Sequence, residues 1–297
     1  MTATTPSVEP GSALPVDTSE LRRARRETFR ALLHSKTFLV GLLIVSFWVF
    51  CAVFGNLIAP YDPLQTNSSL TLKAPSGSHP FGTDALGRDI FSRVLVGSRD
   101  IITVALLATT LGTVAGTALG LVMGYFRGFV DEAISRVVEA FFALPAVIVA
   151  LLALTALGPS NSTVIVVIGL VFTPLIARTV RSAVLSEREL EYVSAAKLRG
   201  ERAPYILFVE ILPNVLPPVI VEFTVRLGYA IFTVATLSFL GFGIQPPAPD
   251  WGLQIAESYG LIGGGFWWTA LFPALAIATL VVGVNLIADG VQSVLER

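Results

Sequence analysis

The sequence predicts an all-α membrane protein with six transmembrane helices. Hydrophobic residues make up 54% of the 297 residues and charged residues only 14%, about half the share found in soluble domains. The mean hydropathy is +0.74. Uncharged stretches of about 20 residues, the length that crosses the hydrocarbon core of a bilayer, recur along the chain. An ordinary soluble protein is therefore excluded.

The predicted spans are separated by polar breaks or by breaks rich in glycine and proline. An uncharged run over 140–177 is divided into two spans by Gly-Pro-Ser-Asn-Ser at 158–162, because these are turn-forming residues. The other four spans are predicted at 37–59, 101–126, about 214–240 and about 268–288. Residues 101–290 form the predicted membrane core with five of the spans, and 291–297 a short cytoplasmic tail.

Glycine recurs at every fourth position in the second span, at Gly112, Gly116, Gly120 and Gly124. This spacing places the four residues on one stripe and permits close helix packing. Ordinary packing within the chain is the favoured interpretation, and a tight interface within a transporter core is the alternative.

Lysine and arginine are distributed unequally between the two sides of the membrane. With the N-terminus in the cytoplasm, 15 of them lie on that side and four on the other, while Arg226 lies within a span. Cytoplasmic segments of membrane proteins are enriched in these residues. Both termini are therefore predicted to be cytoplasmic, and the side opposite to them is called the outer side below.

The segment 1–36 is predicted to be a cytoplasmic tail. Residues 1–20 are rich in Thr, Ser, Pro and acidic residues, which is typical of disorder. A basic group follows immediately before the first span and indicates a topology signal that also contacts anionic lipid. This group consists of Arg22, Arg23, Arg25, Arg26, Arg30 and Lys36.

Two segments are predicted to lie outside. The segment 60–100 is expected to be an extracytoplasmic loop containing an amphipathic helix that lies at the membrane surface. The apolar residues expected on the membrane face of that helix are Leu86, Ile90, Phe91, Val94 and Leu95. The segment 241–267 holds seven glycines and three prolines, so it is not expected to be regular helix throughout.

The sequence offers little chemistry of its own. It lacks the phosphate-binding pattern Gly-x-x-x-x-Gly-Lys-[Ser/Thr]. Its two histidines, one cysteine and scattered acids show no spacing typical of a metal site or a catalytic triad, and Cys51 has no partner for an internal disulfide. A net charge of −1 argues against a nucleic-acid partner. We expect no catalytic residue, no metal site and no bound cofactor.

A polar loop at 187–213 interrupts the hydrophobic second half of the chain. Acidic residues begin a short helix predicted over 187–199, Lys197 and Arg199 end it, and Gly200 is expected to stop it in a left-handed conformation. Ala195 and Ala196 leave a low patch at which another backbone could approach. An ordinary charged loop between two spans is the alternative.

This loop resembles the cytoplasmic coupling loop of bacterial ABC importer permeases, whose pattern is Glu-Ala-Ala, three residues, Gly, and then Ile-x-Leu-Pro. The matching residues are Ser194-Ala195-Ala196, Gly200 and Ile211-Leu212-Pro213, with Ser194 replacing the glutamate of the family. The residues that this resemblance assigns to ATPase coupling are Glu191, Ser194, Ala195, Ala196, Gly200, Ile211 and Pro213.

Three more strings resemble the C-type permease subunit of dipeptide and oligopeptide ABC importers. They are Phe-Gly-Thr-Asp-x-x-Gly-Arg-Asp-x-x-Ser-Arg at 81–93, Ala-Leu-Pro at 143–145 and Leu-Ser-Phe-Leu-Gly-Phe-Gly-Ile-Gln-Pro-Pro at 237–247. The resemblance covers about 25–297. It departs at Val234, where many relatives carry glutamate, and at Glu210, where a basic residue or histidine is usual. The outer-face motif consists of Asp84, Gly87, Arg88, Asp89 and Arg93.

The resemblance implies the type I ABC importer permease fold and import of peptides across the bacterial inner membrane by alternating access. It implies four kinds of contact: a homologous second permease subunit, two cytoplasmic ATPase subunits that bind ATP and Mg, an extracytoplasmic substrate-binding protein, and membrane lipid. Related permeases for nickel, glutathione, haem or another small solute remain alternatives for the cargo. A secondary transporter or a membrane scaffold is the alternative class.

Glu222 and Arg226 are the two charged residues expected inside the fifth span. Four residues apart, they share one helix face. Charges at this depth are usually paired or face protein or a water-filled path. Two interpretations therefore stay open, a local ion pair that neutralises both charges and a pair that lines the translocation path.

Overall fold

A computed structural model describes residues 30–295. Most of the predicted tail 1–36 lies outside the described residues, and so do residues 296–297. The described residues form helices and loops, with one isolated β-bridge between Thr83 and Asp89, so the predicted all-α class is confirmed for this part of the chain. The helices are α1 Lys36–Ile58, α2 Ile90–Phe126, α3 Gly128–Phe142, α4 Ala146–Leu157, α5 Asn161–Glu187, α6 Glu191–Leu198, α7 Ala203–Phe239, α8 Trp251–Ser258 and α9 Trp268–Leu295.

α1 and α9 pack together along one side of the molecule. Ser35 caps α1 by accepting a hydrogen bond from the backbone N–H of Phe38 at 3.4 Å. A Cβ added to Gly41 would lie 2.6 Å from the carbonyl oxygen of Gly283 on α9, which is closer than non-bonded atoms approach. Glycine at this position therefore sets the distance between the two helices.

The glycine stripe of α2 packs against α5. A Cβ added to Gly112 would lie 2.9 Å from the carbonyl oxygen of Gly169, and one added to Gly120 would lie 2.7 Å from that of Ala177. Gly116 and Gly124 are equally crowded by side chains of α5. Packing within the chain, the favoured interpretation of this stripe, is confirmed.

The predicted surface helix in 60–100 is wrong. α2 begins at Ile90, capped by Asp89, and continues without a break for 37 residues to Phe126. Ile90, Val94 and Leu95 are buried inside the protein rather than in lipid. Most of the predicted apolar face thus packs against the rest of the chain, whereas Leu86 precedes the helix and is exposed.

The third predicted span is broken. α3 and α4 meet at an angle of 89° across the sequence Ala-Leu-Pro at 143–145. Pro145 lacks a backbone N–H and disfavours helical geometry in the residue before it, so the helix ends there. Five helices are long and apolar enough to cross a membrane, and the bent pair makes a sixth if it is counted as one span.

α7 enters the membrane through an irregular first turn. Residues Ile206–Ile211 form a π-helix, which is followed by Pro213 and by two prolines inside the helix, Pro217 and Pro218. The segment 241–267 contains α8 and the 3₁₀-helix Tyr259–Gly264, in agreement with its predicted irregularity.

Candidate functional site

The candidate coupling helix is α6, which follows α5 after a three-residue turn. The predicted single helix over 187–199 is divided, because α5 continues to Glu187 and α6 covers Glu191–Leu198. Gly200 has φ +80° with no neighbouring atom within 4 Å of an added Cβ. Its predicted left-handed conformation is therefore confirmed, and it reverses the chain towards α7.

One face of α6 is buried and the other is free. Val193 and Ala196 are fully buried, whereas Ser194 and Ala195 are exposed and Leu198 is 90% exposed. The prediction that Ala196 belongs to an open docking patch is thus wrong, because its methyl group packs against the chain itself. The free face carries a leucine that no part of the described chain covers.

The periodicity of the free face could have been read from the sequence. Glu191, Ser194, Ala195 and Leu198 recur at the spacing of one helical face, and all four are exposed. We name these four residues the α6 free face. Leu198 was missed because the resemblance drew attention to the alanine pair alone.

Two of the remaining coupling residues differ in accessibility. Ile211, the last residue of the π-helix, is fully buried, whereas Pro213 is exposed. A direct contact between Ile211 and an ATPase is therefore excluded in this conformation. Its side chain instead fixes the first turn of α7 to the core.

α6 is fastened to the ends of three longer helices. The Arg188 guanidinium donates to the carbonyl oxygen of Tyr125 at the end of α2, and Lys197 lies 5.6 Å from the centre of the Tyr125 ring. Arg199 donates to Glu210 in the π-helix at 2.8 Å. The family usually has a basic residue or histidine at position 210. The glutamate found there in this chain is paired with Arg199, which directly follows α6.

Tyr192 completes this attachment. Its hydroxyl donates to Glu187 at the end of α5 at 2.8 Å. Burial and this hydrogen bond raise the pKa of Tyr192 to about 12. The phenol consequently remains a hydrogen-bond donor at all physiological pH values, and the joint between α5 and α6 does not depend on pH there.

The outer-face motif builds a buried charge cluster around Asp84. One carboxylate oxygen accepts from the backbone N–H groups of Leu86 and Arg88 at 2.9 Å each, and the other accepts from the Arg88 Nε at 2.6 Å. Arg93, 1% exposed, also donates to Asp84. Both arginines of the outer-face motif therefore lie mostly inside the protein, with the Arg88 side chain 12% exposed.

Glu257 on α8 completes this cluster from 164 residues away. It accepts from Arg88 at 2.6 Å and from Arg93 at 3.3 Å. We call Asp84, Arg88, Arg93 and Glu257 the outer charge cluster. Sequence reasoning missed Glu257, since nothing local distinguishes it from an exposed acid.

Asp89 lies next to this cluster and has a different role. It accepts from the backbone N–H and hydroxyl of Ser92 at 2.8 and 2.7 Å, and its other oxygen lies 2.8 Å from the His79 Nδ1. Gly87 has φ +71°, and an added Cβ would lie 1.8 Å from the Asn67 carbonyl oxygen. The motif thus closes the loop 59–89 onto the start of α2.

The segment after α7 is packed against α2 at the same level. The Trp251 indole donates to the carbonyl oxygen of Val94 at 2.9 Å, and a Cβ added to Gly97 would lie 1.9 Å from the Pro249 carbonyl oxygen. Asp250 caps α8 by accepting from the backbone N–H of Leu253 at 2.9 Å. Burial raises the pKa of Asp250 to about 6.

Comparison with known proteins places the chain in a family. The family described as "Binding-protein-dependent transport system inner membrane component" matches residues 116–297, and "N-terminal TM domain of oligopeptide transport permease C" matches residues 24–75. The first match covers more than half of the chain. The chain belongs to this permease family.

Relatives of the permease are similar over nearly its whole length. It is 39% identical to the "Dipeptide transport system permease protein DppC" of Alkalihalophilus pseudofirmus, covering 97% of this chain and 94% of that protein. It is 35% identical to the "Di/tripeptide transport system permease protein DppC" of Pseudomonas aeruginosa over 91% of each chain. It is 39% identical to the Escherichia coli K12 protein named as a dipeptide permease, over 89% of each.

A solved structure shares the fold of the permease. The chain matches a protein of the methionine ABC transporter MetNI with a TM-score of 0.56 and 21% identity, over 68% of this chain and 96% of that one. The type I ABC importer permease fold is thereby confirmed. The permease is an integral, multi-pass protein of the inner membrane, and such an importer works with an ATPase and a substrate-binding protein.

The pair Glu222–Arg226 of the permease forms a salt bridge within α7. Two guanidinium nitrogens lie 2.6 Å from one carboxylate oxygen, and Arg226 also lies 5.5 Å from the centre of the Tyr229 ring. Both side chains are mostly buried, with 12% and 20% exposed for Glu222 and Arg226. The pairing itself is thus present, and whether it lines a path stays a prediction.

Proposed function

We propose that this permease imports di- or oligopeptides by alternating access and that ATP is hydrolysed by separate subunits. The 39% identity to a dipeptide permease over 97% of the chain supports this cargo. A permease that does no catalysis needs a surface through which an ATPase can move it. The α6 free face supplies such a surface, fastened to α2, α5 and α7.

The proposed mechanism follows from the attachments of α6. An ATPase that binds Leu198 and Ala195 moves α6, and the contacts of Tyr125, Glu187 and Glu210 transfer that movement to three membrane helices. Free energy enters only if the ATP-bound ATPases prefer one permease conformation over the other. No cofactor on this chain is required for this step.

The proposed assembly contains a homologous second permease subunit, two ATPase subunits and an extracytoplasmic binding protein. The test is co-expression of the chain with its neighbouring transport genes, purification through a tag on this chain and reconstitution into liposomes. We expect the partners to copurify and tripeptide to be taken up only with ATP inside and binding protein outside. Purification of this chain alone, or uptake without ATP, would contradict the proposal.

The same liposomes test the cargo. Labelled tripeptide should accumulate, whereas nickel, glutathione or haem in place of peptide should not. Accumulation of one of these solutes without peptide uptake would reassign the cargo within the same family. The coupling mechanism would be unaffected by that result.

Both termini and α6 are proposed to be cytoplasmic. Single cysteines replacing the exposed Ser78, Ser162 or Ser194 in a Cys51→Ser background test this orientation. An impermeant thiol reagent added to intact cells should label positions 78 and 162 but not 194. Labelling at 194 from outside would reverse the topology and remove the coupling role of α6.

A further inference from the structure

Arg178, the first charged residue after the uncharged run 140–177, has no counter-charge among residues 30–295. Arg178 lies in α5, nine residues or about 14 Å before its cytoplasmic end. It is exposed, and no hydrogen bond or ion pair joins it to any residue within 30–295. By contrast, Arg181 on the same helix is held by Asp131 through two contacts of 2.6 Å, and Arg226 by Glu222.

Arg178 belongs to a polar groove on the surface of α5. The groove is shallow and open, because all of its lining residues lie on one face of this helix. Its walls are Arg178, Thr179, Ser182, Ala183 and Ser186. Three hydroxyl groups beside a guanidinium are unsuited to contact with lipid tails, because polar side chains in the membrane face protein or water.

The groove lies on the side of α5 that faces away from α2. Ala177, Val180 and Val184, which contact the glycine stripe of α2, are fully buried. On the same face as the groove, nearer the other end of α5, Ile168 is buried and Leu175 is half-buried, and both are apolar. The polar character is therefore confined to the cytoplasmic half of one face.

We propose that this groove is an anion site in the cytoplasmic half of the translocation path, where Arg178 binds the carboxylate of the transported peptide. The inference rests on the proposed import of peptides. Peptides differ in every side chain, but all unmodified ones end in a carboxylate. Guanidinium binds carboxylate through two parallel hydrogen bonds, and the Ser182 hydroxyl can add a further donor.

The first experiment tests whether the groove is open to water. Ser182→Cys is introduced in the Cys51→Ser background, and the assembled importer is treated from its cytoplasmic side with anionic or cationic methanethiosulfonate reagents. Both should react. The anionic reagent should be favoured by about fivefold, the effect of one unit charge about 7 Å away in water, and Arg178→Gln should abolish that preference.

The second experiment tests the ligand without help from a binding protein. Millimolar trialanine, added on the cytoplasmic side without ATP, should slow labelling of the cysteine at 182, and trialanine amide should not. Arg178→Gln should remove the protection and Arg178→Lys should retain part of it. Arg178→Gln should also lower the rate of peptide uptake into liposomes about tenfold, the effect of losing one charged hydrogen bond. The control Arg136→Gln should leave that rate unchanged.

Three outcomes would overturn the proposal. Failure of either reagent to react means that lipid or a partner subunit covers the groove. Equal protection by trialanine and its amide means that no carboxylate is recognised there. Normal uptake by Arg178→Gln means that the charge serves only as an anchor at the membrane surface. Each is distinguishable from failure of the proposed function, in which the unmodified complex would import no peptide.

Discussion

At the outer end of α2, Arg93 is buried between Asp84 and Glu257, whereas at the other end Tyr125 contacts a helix whose Leu198 is 90% exposed. The outer charge cluster draws both of its acids and both of its cations from this chain. The α6 free face presents an apolar side chain that the described residues leave uncovered. The outer end is thus closed by contacts within the chain, whereas the opposite end leaves an apolar surface that the described residues do not cover, as the proposed coupling to an ATPase requires.

The largest loss of stability is expected from a substitution at Gly97, where α2 contacts the segment before α8. Gly97→Ala places a methyl group 1.9 Å from the Pro249 carbonyl oxygen, so the segment before α8 must separate from α2. Overpacking against backbone costs about 3 kcal/mol or more. We expect loss of folded protein in fluorescence-detected size-exclusion chromatography. Gly77→Ala, where an added Cβ meets nothing within 4 Å, is the control, and equal yields of the two variants would show that the outer end is not rigid.

A loss of comparable size is expected from removing the buried cation. Arg93→Met leaves Asp84 and Glu257 with Arg88 as their only cation in the outer charge cluster. Breaking a buried ion pair costs about 3–5 kcal/mol, so the melting temperature in detergent should fall by many degrees. The exposed Arg99→Met should change stability by less than about 0.5 kcal/mol. Similar melting curves for both variants would contradict the assignment of the cluster as a structural unit.

Asp250 gives the outer end a pH dependence. Its pKa of about 6 lies above the value of 3.8 that is usual for an aspartic acid, so the native state holds its proton more tightly than the unfolded chain. This contribution to stability is present below about pH 4 and is lost as pH rises through 6. Asp250→Asn keeps a capping oxygen without the charge, so it should stabilise the protein at pH 7.5 by about 2–3 kcal/mol. The variant should gain little at pH 4, and an equal gain at both pH values would refute the explanation.

The smallest effect on stability is expected for a substitution on the α6 free face, and this substitution should nevertheless abolish coupling to the ATPase. Leu198→Asp changes a side chain that is 90% exposed, so its melting temperature should match that of the unmodified protein within the error of about 0.5 kcal/mol. Peptide-stimulated ATP hydrolysis by the reconstituted complex should nevertheless disappear. The reference variant is Val193→Asp, whose buried position should make it unfold instead. Full stimulation of ATP hydrolysis by peptide in Leu198→Asp would show that the α6 free face does not bind the ATPase.

Features decided by neighbouring residues could be predicted from the sequence. Gly200 follows two basic residues at a helix end, and its left-handed conformation needs no distant contact. The glycine stripe of α2 likewise predicted that another helix packs closely against it, but the sequence did not identify that helix as α5. The long uncharged segments define the class of the protein through hydropathy alone.

Features decided by distant contacts could not be predicted. The helical period around Arg93 is the same for a surface helix and for a buried one, and only Glu257, 164 residues away, decides between them. Ala196 and Ile211 were assigned to an exposed surface because motifs name residues without saying which way they face. The break at Pro145 did have a local signal, but the length of the uncharged run was given more weight than the proline.

The unbroken length of α2 has a mechanical consequence. Its 37 residues make a rod about 55 Å long, with the outer charge cluster at one end and the contact of Tyr125 with α6 at the other. A tilt of about 10° around one end displaces the opposite end by about 10 Å, comparable to the diameter of an α-helix with its side chains. Because the glycines of α2 seat α5 directly against it, any tilt of α2 carries α5 with it, so the two helices behave as one rigid arm.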